Sequence, residues 1–285
     1  MKPYSVYTGD EDSEMVRIDR QNEYLNRIVS KHLDAIFSTC NCPAILDVGC
    51  ADGKNILLRL EKRDYSLLLG IDKNAQKIEM ANKLYKNAKN TFLCCDTDDV
   101  QFKETLGDFL NRQGRASFDI IHISSVLLHL RNPQLVLDTL HEFLSPGGWL
   151  IIQEEDDGFN MVYPHESCFD DCFYVWYHSV ESGDRLMGRK VPSMLISSGY
   201  ENVIVQSTTV HSTDFNGEMK DNLWDMYFNS DLWVADNPSF YDASDAYGKF
   251  LQYKKAHAAL KDAYMQGKFF VTLGVFYITA RGKLR

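Results

Sequence analysis

The chain has 285 residues, of which 45% are hydrophobic and 25% charged, the balance of a globular protein able to bury a full core. Its formal net charge of −10 has the wrong sign for a protein that grips phosphate backbones, so nucleic acid is disfavoured as a partner. No apolar run reaches the roughly 18 residues of a membrane-spanning helix, the N-terminal segment lacks a secretory apolar core, and seven cysteines in core-like runs suit free thiols in a reducing cytoplasm.

Residues 11–38 carry Met15, Ile18, Tyr24, Leu25, Ile28, Val29, Leu33 and Ile36 at roughly helical spacing behind the potential cap Ser13, which predicts an N-terminal helix. Ala44 to Val48 is short and apolar on both faces, as a central parallel strand should be. A helix opens at Lys54, a second strand runs from Leu67 to Ile71, and a helix capped by Asn74 covers Ala75 to Tyr85. Thr91 to Cys95 reads as strand three, residues 97–117 as a polar helix leaving at Gly114, and Phe118 to Ser124 as strand four. Pro133 to Leu144 is helical. The turn Ser145-Pro146-Gly147-Gly148 precedes strand five, Trp149 to Gln153. Strands alternating with helices on short loops predict an α/β, Rossmann-like, doubly wound parallel sheet. Beyond residue 157 come an aromatic, helical stretch to Ser182, a helix from Arg185 to Ser198, strand six at Asn202 to Val210, a second aromatic helical stretch over 214–266, and strand seven at Phe269 to Thr279.

The first strand ends in Asp47-Val48-Gly49-Cys50-Ala51-Asp52-Gly53-Lys54, and the second in Gly70-Ile71-Asp72. An acid, a glycine-rich turn, a helix and a second strand-end acid are the start of a βαβ unit that holds a nucleotide-like ligand. Gly49, Ala51 and Gly53 follow a G-x-(G/A)-x-G spacing. A dinucleotide fingerprint needs its third glycine at position 54, where Lys54 stands, so the pattern fits S-adenosylmethionine better than NAD.

With Cys95-Asp96, Phe118 to Leu130 and Leu144 to Ile152 in order behind these motifs, residues 40–157 resemble the class I S-adenosylmethionine (SAM)-dependent methyltransferases. Within that class the chain resembles the small-molecule enzymes of the ubiquinone/menaquinone-biosynthesis type. Ala51 departs from the usual glycine by one methyl. The resemblance implies a seven-stranded sheet whose last strand is antiparallel and lies between strands five and six. With no repeat and no low-complexity linker, one methyltransferase domain over 1–285 is expected, with an N-terminal helical cap over 1–40, a SAM-binding core over 41–157, and helical substrate-side insertions at 158–183 and 214–266 over the active-site mouth.

The resemblance also assigns roles. Asp47 receives the cofactor's ammonium group, Asp72 the ribose hydroxyls, Asp96 the adenine amino group, and the Thr97 N–H a ring nitrogen. Gly49, Cys50, Ala51 and Gly53 form the close-approach loop, and Cys50 there is open to thiol reagents. Lys73 lies near the adenine or in solvent. Ser124 offers a backbone carbonyl to the ammonium group. Methyl transfer is an in-line displacement, so alignment matters more than a fixed catalytic set. A hydroxyl or carbon acceptor needs a base, for which His129, after strand four, is the candidate. His122, inside the strand, reads as a hydrogen-bonded core histidine.

Ligands of such sheets bind at the carboxyl ends of the strands, which makes Glu155 and Asp156 candidates for facing the substrate. Tyr163, Trp176 and Trp224 represent the aromatic stretches as pocket walls, against a reading in which most of these rings only pack the insertions. Tyr7 and Arg17 come from the N-terminal helix, and Arg189 either anchors an acidic substrate group or makes an ion pair. The acids after strand five match a Mg²⁺ site too loosely, so no metal is expected. The expected activity is methylation of a small organic metabolite by a monomer or homodimer without nucleic-acid or membrane partners. A SAM-binding regulatory protein or pseudoenzyme, or a protein methyltransferase, is the alternative.

Overall fold

A computed structural model describes residue 22, residues 25–26, 29–30, 32–179, 183–228 and 238–284. Among the described residues the strands are β1 Ala44–Val48, β2 Leu67–Asp72, β3 Asn90–Cys94, β4 Phe118–Ser124, β5 Leu144–Glu155, β6 Met161–Tyr163, β7 Glu201–His211 and β8 Phe270–Arg281. Helices among the described residues include α1 Lys54–Leu60, α2 Ala75–Tyr85, α3 Phe102–Arg112, α4 Pro133–Phe143, α5 Ser167–His178, α6 Met187–Ser197, α7 Gly217–Phe228 and α8 Ala246–Met265, and residues 32–37 of the N-terminal segment are also helical. The chain divides into two compact units. The first holds the described residues of 26–154, 188–206 and those from 276 on, and the second holds the described residues of 1–25, 155–187 and 207–275. β5, β7 and β8 contribute residues to both.

The hydrogen-bonded strand order is β3-β2-β1-β4-β5-β8-β6, with β7 also paired to β8. β1 to β5 are parallel. β8 runs against β5, since Gly282 exchanges backbone bonds with Gly147 and Gly148 while Asp156 donates to Gly274. The expected α/β doubly wound sheet is therefore present, with its last strand antiparallel and set between the fifth strand and β7. A short eighth strand is added: β6 pairs antiparallel with the start of β8, Met161 facing Thr272. The expected turn at Ser145–Gly148 instead lies inside β5. Phe118 faces Leu144 but Ile120 faces Trp149, so three extra residues are accommodated as an irregularity in the ladder.

In the first unit β1 is buried along its whole length, as a strand covered on both faces requires. On one face Ile45, Leu68, Ile120 and Ile151 pack with Val29, Leu33 and Ile36 of the N-terminal segment and Ile56 and Leu60 of α1. Two positions further along β1, β4 and β5 on that same face stand Asp47, His122 and Gln153, all buried. An apolar layer thus turns polar towards the strand ends. Helix entry follows ordinary capping: the Asn74 side chain accepts from the N–H groups of Gln76 and Lys77, and Asn132 from Leu135 ahead of Pro133.

Candidate cofactor site

The loop from β1 to α1 places Gly49, Ala51 and Gly53 in the left-handed region, at φ of 71°, 49° and 78°. The N–H groups of Gly49 and Cys50 both donate to the Ile71 carbonyl, and that of Gly53 to Cys50. A Cβ at Gly49 would stand 2.3 Å from Val126 Cγ2, and one at Gly53 would stand 2.6 Å from the Phe92 ring. These two glycines are therefore needed by packing within the protein, beyond the sharp turn and the ligand approach expected from sequence. Cys50 is buried. Burial, with the Asp47 and Asp72 charges adding to it, pushes its thiol far up, so the expected reactivity towards thiol reagents is corrected: the thiolate is the nucleophile, and burial disfavours it.

β1, β2 and β3 are neighbours, so their strand-end acids come together in sequence order along one edge of the sheet. Asp72 is half-buried. Its Oδ2 accepts from Ala51 N–H at 3.0 Å and its Oδ1 from Asn74 N–H at 2.8 Å. Each carboxylate oxygen has two acceptor sites, so this acid is fixed in place and still able to accept. Lys73 beside it is exposed. Asp96 is half-buried and accepts from Asp98 N–H at 2.9 Å. Asp98 in turn accepts from Arg131 and Asn132 N–H groups, which ties the segment after β3 to the segment after β4. Thr97 and Ser124 are half-buried. Ser125 takes a left-handed φ of 54° and donates to the Gln153 carbonyl. The turn then closes through Leu127 N–H, which donates to Glu154 Oε2 at 2.9 Å. His129 ends the short helical turn Leu127–His129, half-buried.

Asp47 carries a connection that the motif does not disclose. Its Oδ1 lies 2.5 Å from His122 Nδ1, and β1 and β4 pair with these two residues in register. His122 Nε2 lies 2.7 Å from Arg59 Nη1, and Arg59 Nη2 donates to Gln153 Oε1 at 2.7 Å. Arginine has no acceptor, so Nε2 accepts and the ring proton sits on Nδ1, which donates to Asp47. Burial lowers His122 below its usual value, keeping it neutral. Burial also brings Arg59 down to about 10, which leaves it charged. The hydrogen-bonded core histidine is as expected from sequence. Arg59 was missed, although it had a signal: it stands three residues after buried Ile56 on α1 while Leu58 is exposed, so a charge occupies the apolar stripe.

In the second unit the substrate-side candidates separate. Glu155 and Asp156 are buried, and Asp156 accepts from Gly158 N–H as the cap of a short turn. Asp157, not singled out from sequence, makes a bidentate pair with Arg185 at 2.8 and 2.9 Å, and the guanidinium lies over the Trp176 ring. Trp176 and Trp224 are 2% and 0% exposed, enclosed with Phe169, Phe173 and Phe228, and Trp224 Nε1–H donates to His257. The structure corrects their expected role as pocket walls: their faces are taken by other rings, so they are core. Tyr163 is 75% exposed on β6. Arg189 is exposed on α6 in the first unit. Tyr7 and Arg17 lie outside the described residues. Among the described residues no group of three or more His, Cys, Asp or Glu side chains is placed to hold a metal ion, and no helix is long and apolar enough to cross a membrane.

The donor set fits the expected cofactor. An ammonium group, a ribose diol and an exocyclic amine all donate hydrogen bonds, and three carboxylates at the ends of adjacent strands would be able to accept them.

Residues 46–150 match the family model described as a methyltransferase domain. A ubiquinone biosynthesis O-methyltransferase of Paracidovorax citrulli is 32% identical over 106 residues, which are 37% of this chain and 41% of that relative; the chain thus matches about two-fifths of the relative's length. Among solved structures, a methyltransferase-like protein of Bacillus halodurans superposes with a TM-score of 0.53 at 14% identity, over 89% of this chain and 98% of that one. A plantazolicin methyltransferase in complex with a triazolic analogue and S-adenosylhomocysteine superposes with a TM-score of 0.52 at 15% identity, over 95% and 90%. Over residues 46–150 the chain is thus similar to a methyltransferase domain.

Proposed function

We propose that the protein transfers a methyl group from SAM to a small organic metabolite. The observation that carries this reading is the row of strand-end acids Asp47, Asp72 and Asp96 on adjacent β1, β2 and β3, behind the Gly49–Gly53 loop. The bound cofactor supplies an electrophilic methyl carbon for in-line displacement. Asp72 holds the ribose hydroxyls, kept in place by its bonds from Ala51 and Asn74. Asp96 accepts from the adenine amino group, with the Thr97 N–H beside it, and Asp47 accepts from the ammonium group. His129 takes the proton where the acceptor is a hydroxyl. The net charge of −10 disfavours polyanionic acceptors. Small-molecule specificity is supported by the matched ubiquinone-biosynthesis O-methyltransferase.

The test is S-adenosylhomocysteine release with a panel of small phenols, hydroxylated acids and amines, on wild type and His129→Asn. Acceptor-dependent release by wild type, lowered about 100-fold by the substitution for hydroxyl acceptors, is the expected result. Release only with protein acceptors favours a protein methyltransferase. Cofactor binding without release for any acceptor favours a regulatory role.

A further inference from the structure

Asp47 is 5% exposed, and a carboxylate so removed from water keeps its charge only with partners. Its partner is a histidine on the adjacent strand at 2.5 Å. Behind that histidine stands Arg59, 3% exposed, at 2.7 Å from the other ring nitrogen. Arg59 is itself held on three sides: Nη1 on His122, Nη2 on Gln153, and Nε donating to Asn26 at 2.7 Å. The positive charge of Arg59 and the negative charge of Asp47 are thus separated by one neutral imidazole whose tautomer Arg59 imposes.

We propose that Arg59 and His122 are positioning residues for Asp47, orienting and charge-balancing its carboxylate so that it receives the ammonium end of the cofactor. The proposal rests on the cofactor reading above. Arg59 sends only hydrogen-bond donors into the ring, so His122 cannot turn over or take the other tautomer, and its Nδ1–H pins one Asp47 oxygen. A direct Arg–Asp pair would spend both carboxylate oxygens on a bidentate fork. The relay spends one bond and leaves acceptor capacity for the ligand. The charged or titratable groups acting on the relay come from three elements: Asp47 on β1, Arg59 on α1, and Tyr277 on β8, which couples to Arg59; Gln153 and Asn26 complete it as neutral partners.

The test compares two ligands by calorimetry. S-adenosylhomocysteine has the amino-acid end, whereas 5′-methylthioadenosine shares the adenosine and thioether and lacks it. Arg59→Met and His122→Leu weaken the first ligand about tenfold and the second by less than about twofold. His122→Asn, which keeps an N–H donor towards Asp47, recovers affinity to within about threefold of wild type. Parallel losses for both ligands, or no loss for either, overturn the proposal, because a residue that only supports the fold does not discriminate between them. Should the variants not fold, nitrogen-resolved NMR of wild type decides. The His122 ring keeps the Nδ1–H tautomer and its signals move with S-adenosylhomocysteine but not with 5′-methylthioadenosine; equal movement, or the other tautomer, contradicts it. Wild type that binds neither ligand overturns the cofactor reading itself and this proposal with it.

Discussion

Each unit holds an arginine largely shielded from solvent, and the two are used differently. In the second unit Arg185 meets Asp157 directly through two parallel bonds and stacks over Trp176. Burial pulls its pKa down, but the Asp157 charge and hydrogen bonds more than offset this and raise it above the usual range. In the first unit Arg59 reaches its balancing acid only through neutral His122, and burial dominates, lowering it to about 10. A direct fork closes on itself and leaves a structural anchor inside an aromatic core. A relayed charge leaves a carboxylate fixed on one side and able to accept on the other. The difference separates a buried ion pair that holds a fold from one that serves a strand-end site.

The comparison breaks first at the aromatic cluster. Trp224→Ala is expected to cost about 3–5 kcal/mol of unfolding free energy, since Trp224 is fully enclosed and its indole N–H bonds His257. Urea denaturation measures it; a loss below about 1 kcal/mol would mean that the ring lines an open wall after all.

A smaller effect sharpens the relay. His122 is lowered by burial, so the unfolded chain takes up its proton first. The stability gained from neutral His122 is full above its ordinary value near 6.5 and is lost as pH falls below it, by up to about 1.4 kcal/mol per pH unit. Urea titrations from pH 8 to pH 5 should show this slope in wild type and lack that component in His122→Asn. Equal slopes would contradict a buried neutral imidazole.

Sequence alone made much of this legible where period and punctuation agree. β1 and β4 fall on the expected residues, and Asn74 caps α2 as read, because short apolar runs ending in glycine or serine and a capping asparagine leave little choice of element. The irregularity in β5 was hidden, since Pro146-Gly147-Gly148 marks a turn locally and only the ladder shows that the strand continues through it. The strand-end acids were legible from their spacing. What Asp47 touches was not: His122 and Arg59 are 75 and 63 residues away along the chain from their respective partners, and contacts of that kind are set by register. Trp176 and Trp224 show the opposite failure. Aromatic composition is the same for a pocket wall and for a core, and only burial separates them.

The central claim is that the acids ending β1, β2 and β3 form a SAM site, and calorimetric binding of S-adenosylhomocysteine and NAD to wild type and Asp72→Ala tests it most directly. The account predicts that wild type binds S-adenosylhomocysteine and not NAD, and that Asp72→Ala binds it roughly 10- to 100-fold more weakly, the value of a hydrogen-bonded charged acceptor. Wild type that binds NAD instead, or Asp72→Ala that binds S-adenosylhomocysteine as tightly as wild type, would contradict it.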